Sequence, residues 1–290
     1  MVRILDGKEL ASQIKDELAN EVRAITSSGR RAPHLAAVLV GNDGASMTYV
    51  ANKEKSSHEV GFTSSVYRLA ESTTEAQLIE TIHFLNADPE VDGFIVQLPL
   101  PGHINEKHII NAISPEKDVD GFTPINTGRM VLGEPCFLPA TPMGIRTLLQ
   151  RNGIATAGQH CVVVGRSNIV GTPAANLLSR KGVDCTVTLC HSRTQHLAEL
   201  TRQADILVVA IGQPEFVKAD MVKEGAVVVD VGIHRIPDAS RKNGYRLVGD
   251  VCHAEVDPKC SWVTPVPGGV GPLTIVSLLQ NTLQAYKQRQ

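Results

Sequence analysis

Val162-Val163-Val164-Gly165-Arg166-Ser167-Asn168-Ile169-Val170-Gly171-Thr172-Pro173 runs from an apolar strand through a glycine turn into a helix start. A bound diphosphate needs such a turn. Glycine lets the backbone come close, and a helix start offers unpaired N–H groups and the positive end of its dipole. The spacing is G-x5-G, so the common G-x-G-x-x-G fingerprint is not met, and on this stretch alone an ordinary strand-to-helix turn stays open. The residues that follow narrow the choice. Cys161–Val164, Cys185–Leu189, Ile206–Ala210 and Val227–Val231 are four short apolar runs. Helix-compatible segments separate the first three, and a shorter connection around Ala219–Lys223 precedes the fourth. This alternation predicts a doubly wound parallel α/β sheet of Rossmann-like type, built to bind a dinucleotide.

The end of the second run bears on which dinucleotide. An NAD site usually carries a carboxylate there for the ribose 2′-OH. Here the chain reads Leu189-Cys190-His191-Ser192-Arg193-Thr194, with no carboxylate. The Ser192 hydroxyl, the Arg193 charge and Arg166 in the glycine turn suit a 2′-phosphate, which favours NADP over NAD. The competing reading is a solvent-exposed polar turn.

Working outward, Leu10, Ile14, Leu18, Val22 and Ile25 form one apolar helical face. Leu35–Val40 and Val91–Leu98 are continuous apolar runs that predict buried strands, with a third strand at Ser65–Leu69. Ala45–Val60, Thr74–Asn86 and Glu106–Ile113 predict helices, and Ser114–Pro124 a polar loop. Thr141–Asn152 predicts a helix with Thr141 as N-cap and Pro142 at its first position. A last helix follows at Leu273–Gln284. The expected organisation is an N-terminal α/β catalytic domain over residues 1–145, a dinucleotide-binding domain over 146–271, and a C-terminal helix, 272–290, returning to the first domain.

Four features of these segments could carry chemistry. Tyr49 and Lys53, at i and i+4, share one helix face, though a pair of surface side chains looks the same. Gln97-Leu98-Pro99-Leu100-Pro101 follows directly on an apolar strand, where ligands of open α/β sheets gather. Asp118-Val119-Asp120-Gly121-Phe122 offers a carboxylate able to take two parallel hydrogen bonds from an amino-pyrimidine ring; an Asx-turn is the alternative. Thr264-Pro265-Val266-Pro267-Gly268-Gly269-Val270-Gly271-Pro272-Leu273-Thr274 gives a fixed backbone next to a helix start.

Bulk properties agree with a small-molecule enzyme. The chain has 290 residues, enough for two domains, with 42% hydrophobic residues. Its 28 Lys and Arg against 30 Asp and Glu leave no global field to attract nucleic acid or an anionic membrane. No apolar stretch approaches the length of a membrane span, and charges interrupt the N-terminus where a signal peptide would be apolar. The six cysteines form no C-x-x-C pair and read as reduced thiols, so a cytoplasmic protein without a metal site is expected.

Taken in order, these segments resemble the methylenetetrahydrofolate dehydrogenase/cyclohydrolase family. The match includes Tyr49–Lys53, Val91–Pro101, Pro115–Gly121, Pro139–Pro142, Gly165–Gly171, Asp230–Ile233, Gly249–Val251 and Pro265–Pro272, and covers nearly the whole chain. The resemblance implies oxidation of 5,10-methylenetetrahydrofolate by NADP, then hydrolysis of 5,10-methenyltetrahydrofolate to 10-formyltetrahydrofolate. It implies that Lys53 is the general acid/base of the hydrolysis and that Gln97 assists it. Tyr49 would shape the site and pack on the folate, and Asp120 would hold the pterin. Leu98, Pro99, Pro267, Gly268, Gly269 and Pro272 fall on the substrate side. Gly165, Arg166, Ser167, Ser192, Ile233, Thr141 and Thr274 match cofactor contacts. The family also implies a homodimer, for which an edge strand at Val227–Val231 or Arg246–Val248 would be one physical route. Two other readings remain: an NAD(P)-dependent dehydrogenase of another small substrate, which has no use for Lys53, Gln97 and Asp120 together, and a non-catalytic folate- or dinucleotide-binding module, which has no need to keep them.

Overall fold

A computed structural model describes residues 2–241 and 244–289, which divide into two compact units. The first comprises Ser12–Ala140 with Ile275–Gln290, the second Met1–Ala11 with Thr141–Thr274. The C-terminal helix thus ends in the first unit, as expected. The first eleven residues differ from expectation. They belong with the dinucleotide unit, because β1 (Arg3–Ile4) pairs in parallel with β11 (Trp262–Val263). Two-residue strands carry too little pattern to be read from sequence.

The first unit holds a three-stranded parallel sheet of order β3-β2-β4, from β2 (His34–Val40), β3 (Thr63–Leu69) and β4 (Gly93–Val96). Its helices are α1 (Gly7–Ser27, beginning in the second unit), α2 (Gly44–Glu59), α3 (Glu75–Ala87), α4 (Glu106–Ala112) and α5 (Pro124–Leu132). The central strand β2 is buried at every position but His34, which is why its sequence is apolar without alternation. Val38, Leu78, Ile82, Leu85, Phe94 and Ile109 form its core. Helix α3 starts at a full capping box between Thr74 and Gln77. Helix α5 was not anticipated from the sequence. Its punctuation is nonetheless present: Thr123 caps it, Pro124 opens it, and left-handed Gly133 ends it.

The second unit holds a six-stranded parallel sheet of order β1-β11-β8-β7-β5-β6. The middle members are β5 (His160–Val164), β6 (Thr186–Cys190), β7 (Ile206–Val209) and β8 (Val227–Asp230), the four apolar runs of the sequence. Helices α7 (Gly171–Ser179) and α8 (Leu197–Thr201) separate the first three, and a single helical turn at Ala219–Met221 precedes the fourth. Strands β9 (His234–Pro237) and β10 (Tyr245–Val248) form a separate antiparallel pair. Strand β8 lies between β11 and β7, so Val227–Val231 offers no free edge, contrary to the sequence expectation.

Helix α6 (Ala140–Arg151) starts one residue before Thr141, so Thr141 does not cap it; its hydroxyl bonds the Thr274 hydroxyl at 2.9 Å instead. Helices α9 (His253–Val256) and α10 (Val270–Gln288) complete the chain. Within the first unit, Asn281 of α10 donates to the carbonyls of Val119 (2.8 Å) and Leu138 (2.9 Å), which anchors the returning helix. Among the described residues no helix is long and apolar enough to cross a membrane, and no group of three or more His, Cys, Asp or Glu could hold a metal ion.

Candidate active site

In the first unit, the Asp43 carboxylate accepts from Ser46 N at 2.7 Å and fixes the start of α2. Val50 turns into the core, which leaves Tyr49 43% exposed and Lys53 half-buried on a neighbouring face. Strand β4 ends at Val96, and Gln97 follows where its N–H still bonds the Val38 carbonyl. Lys53 Nζ donates to Gln97 Oε1 at 3.2 Å, while Gln97 Nε2 donates to the Leu98 carbonyl at 2.6 Å. The Leu98–Pro99 bond is cis. The helix residue and the strand-end residue that the sequence singled out are therefore in contact.

Asp118 and Asp120 part company. Asp118 is buried and accepts from Phe122 N (3.1 Å), Thr123 N (2.8 Å) and Asn126 Nδ2 (2.9 Å). It fulfils the Asx-turn reading and holds the loop that carries its neighbour. No donor among the described residues bonds the Asp120 carboxylate. Burial raises Asp120 above the usual carboxylate range, the Lys53 charge opposes this, and the Asp118 charge adds to it. Lys53 is the mirror case: burial lowers its ammonium below the ordinary lysine value, against the pull of Asp120. Both groups move towards neutrality, the condition for proton transfer near physiological pH. Asp120 and Leu98 also line one cavity, with Phe94 and Ile109 among its walls.

The second unit builds a different kind of site. Gly165, just after β5, has φ +115°, and a Cβ there would overlap the Ala210 carbonyl oxygen. Only glycine fits. Its N–H bonds the Cys190 carbonyl at 2.9 Å, tying the turn to the end of β6. Ser167 Oγ accepts from Val170 N (3.1 Å) and Gly171 N (3.4 Å), and Thr172 N bonds the Ser167 carbonyl, so the turn leads straight into α7. Arg166, Ser167, Ser192 and Arg193 are exposed, and Ile233 beyond β8 is 47% exposed. His191 shapes the Ser192 turn from within: its N–H bonds Thr194 Oγ1 at 2.9 Å and its Nδ1 accepts from Arg193 N at 3.1 Å. The Val266–Pro267 bond is cis, Gly268 and Gly269 follow, and Pro272 lies in the first turn of α10.

Two buried carboxylates, Asp230 and Asp250, lie in the Asp230–Ile233 and Gly249–Val251 motifs, whose sequence alone does not announce their role. Asp230, the last residue of β8, accepts from Gly232 N (3.0 Å), Asp250 N (2.9 Å) and Val251 N (2.9 Å). Asp250 in turn accepts four bonds of its own. The available signal is an aspartate closing an apolar run, since such a group needs donors in the interior. A cavity of about 390 Å³ opens at the amino ends of β5, β7, β8 and β11, lined by Gln159, Asp205, Lys223 and Trp262; it contains no residue of either motif.

The chain matches two family descriptions: "Tetrahydrofolate dehydrogenase/cyclohydrolase, catalytic domain" over residues 5–120 and "Tetrahydrofolate dehydrogenase/cyclohydrolase, NAD(P)-binding domain" over residues 139–290. It is 59% identical to the bifunctional protein FolD of Porphyromonas gingivalis, covering 98% of this chain and 97% of that one. It is 60% identical to that of Cytophaga hutchinsonii, covering 98% and 99%. Among solved structures, the bifunctional FolD enzyme of Campylobacter jejuni superimposes with a TM-score of 0.94 at 46% identity over 100% of both chains. The Trypanosoma brucei enzyme, complexed with NADP cofactor and inhibitor, gives 0.94 at 37% identity, covering 99% of this chain and 98% of that one. The chain belongs to the tetrahydrofolate dehydrogenase/cyclohydrolase family.

Proposed function

We propose that the enzyme oxidises 5,10-methylenetetrahydrofolate with NADP and then hydrolyses the 5,10-methenyltetrahydrofolate to 10-formyltetrahydrofolate. The observation that carries the hydrolytic half is the Lys53 Nζ–Gln97 Oε1 contact at 3.2 Å, with a lysine whose charge is disfavoured by burial. Water attacks the carbon between the two folate nitrogens. Neutral Lys53 takes a proton from that water, and the bond to N5 breaks as N5 gains a proton; the net reaction releases one proton. Gln97 holds the amine in place through its side-chain oxygen. Tyr49 lies along the same helix face to pack on the folate, and Asp120 offers two unengaged oxygens to the pterin's N–H groups.

The second unit fits a dinucleotide. Gly165 lets the turn after β5 pack directly on the Ala210 carbonyl and lead into α7, whose N-terminus would offer the diphosphate backbone N–H groups and the helix dipole. Arg166, Ser192 and Arg193 are exposed donors suited to a 2′-phosphate, and this supports NADP over NAD. Ile233, Thr141 and Thr274 complete the cofactor side in this reading; Leu98 and Pro99 are the substrate residues assigned in the first unit, and Pro267, Gly268, Gly269 and Pro272 those assigned in the second. When bound, the nicotinamide supplies the hydride acceptor; the protein's share is positioning.

The reading extends to a homodimer. Among the described residues, strands β6 and β10 each have one unpaired edge, a physical route for association. Sedimentation at micromolar concentration is expected to give the dimer mass, and a monomer alone would remove that part.

The test is an assay with 5,10-methylenetetrahydrofolate, run separately with NADP and NAD and resolving reduced cofactor from methenyl product. Fast reduction of NADP followed by loss of methenyl signal beyond the uncatalysed rate is expected. Reduction of NAD alone would overturn the cofactor assignment, and reduction of neither would overturn the dehydrogenase.

A further inference from the structure

Asp250 is fully buried and accepts four hydrogen bonds. Ile211 N (2.7 Å) and Gly212 N (3.1 Å) bond Oδ2, while Gln213 N (2.8 Å) and His234 Nε2 (2.7 Å) bond Oδ1. Three of these donors are consecutive backbone amides of the loop after β7. That loop begins beside the glycine turn, since Gly165 packs on the Ala210 carbonyl so closely that no Cβ fits. The fourth donor, His234, opens β9 next to Ile233, at the end of the short segment that follows β8. At Gly232 a Cβ would likewise collide with the Asp250 carboxylate, so this loop too is drawn onto it. Asp230 supports the arrangement from behind, accepting Asp250 N and Gly232 N through one oxygen, Oδ1.

We infer that Asp250 is a positioning residue for the dehydrogenase: one buried carboxylate fixes both loops that border the dinucleotide, at the ends of β7 and β8. It holds the first through three main-chain amides and the second through the His234 imidazole and the close approach of Gly232. An ionised acceptor shared by three consecutive N–H groups is the anion-holding arrangement that backbones otherwise offer to phosphates, here filled by the protein's own side chain. Asparagine has the same shape, but its amide end donates where these N–H groups need an acceptor, so the loop must let go of at least one bond. The inference rests on the nicotinamide-cofactor reading given above.

The experiment compares Asp250→Asn with the unaltered enzyme in two assays: NADP reduction with 5,10-methylenetetrahydrofolate, and hydrolysis of 5,10-methenyltetrahydrofolate without nucleotide. The expected result is a rise in KM for NADP of about tenfold or more, as for one lost charge-assisted bond, with hydrolysis within twofold of the unaltered enzyme. His234→Ala removes only the side-chain donor and is expected to raise the same KM by less; it serves where Asp250→Asn fails to fold. An unchanged KM for NADP in both variants overturns the inference. So does a parallel loss of both activities, which marks general destabilisation. Failure of the unaltered enzyme to reduce NADP would instead fall on the cofactor reading.

Discussion

Asp120 in the first unit and Asp250 in the second are the same side chain in opposite circumstances. Asp250 is saturated with donors: three backbone amides and one imidazole. Its lone pairs are committed, so it can hold structure but has nothing left for a ligand. Asp120 has no donor among the described residues and only the charge of Lys53 to offset its burial. Its oxygens are open and its charge is poorly supported, which suits recognition and proton chemistry. Hydrogen-bond saturation separates the carboxylates that build the site from those that act in it. Asp118, two residues from Asp120 and bonded three times, falls on the building side.

The largest effect that follows is at Lys53. Lys53→Met removes the proton carrier and is expected to cut hydrolysis by about 10²–10⁴-fold, with hydride transfer surviving in part. Accumulation of methenyl product during NADP reduction reads this directly, and full retention of hydrolysis would break the comparison at its active end. Asp120→Asn keeps the shape and loses the charge. It should raise KM for the folate in both assays by about 10–100-fold, the scale of a lost bond to a charged group. A change confined to NADP would contradict the assignment.

Asp118→Ala leaves interior N–H groups without an acceptor and should cost about 1–3 kcal/mol of stability, measured by urea unfolding. A loss of activity without a loss of stability would place Asp118 among the acting carboxylates. The smallest effect concerns His253, beside Asp230 (3.3 Å) and Asp257 (2.8 Å). Burial alone would lower its pKa, but the two carboxylates outweigh it and the net shift is upward. A raised folded pKa gives stability that is fully present below the unfolded value of 6.5 and lost as pH rises through the folded one. The melting-temperature gap between the unaltered enzyme and His253→Gln should therefore narrow from pH 6 to pH 9; a gap that widens would reverse the sign.

Much of this was legible in the sequence, for physical reasons that also mark where reading failed. Strands β2, β5, β7 and β8 are buried on both faces, so each shows as an unbroken apolar run. Lys53 and Gln97 stood out through a helix spacing and a strand end, and the fold brings them into contact. Helix α5 was missed because its apolar face is short: Ile125, Val131 and Leu132 point outward, and only its caps announce it. The place of Met1–Ala11 was missed because pairing between β1 and β11 joins residues some 260 apart in two-residue strands. The role of Asp250 is not legible in the Gly249–Val251 motif, since its donors come from Ile211–Gln213 and His234, segments that only the folded chain assembles.

The central claim is that burial lowers the Lys53 ammonium below the ordinary lysine value, with Asp120 as its one opposing charge. Titrating the Lys53 ammonium by nitrogen-15 NMR, in the unaltered enzyme and in Asp120→Asn, tests it most directly. The account predicts a pKa below the ordinary 10.5, falling further when Asp120 loses its charge. A value at or above 10.5, or one that Asp120→Asn leaves unmoved, would contradict it.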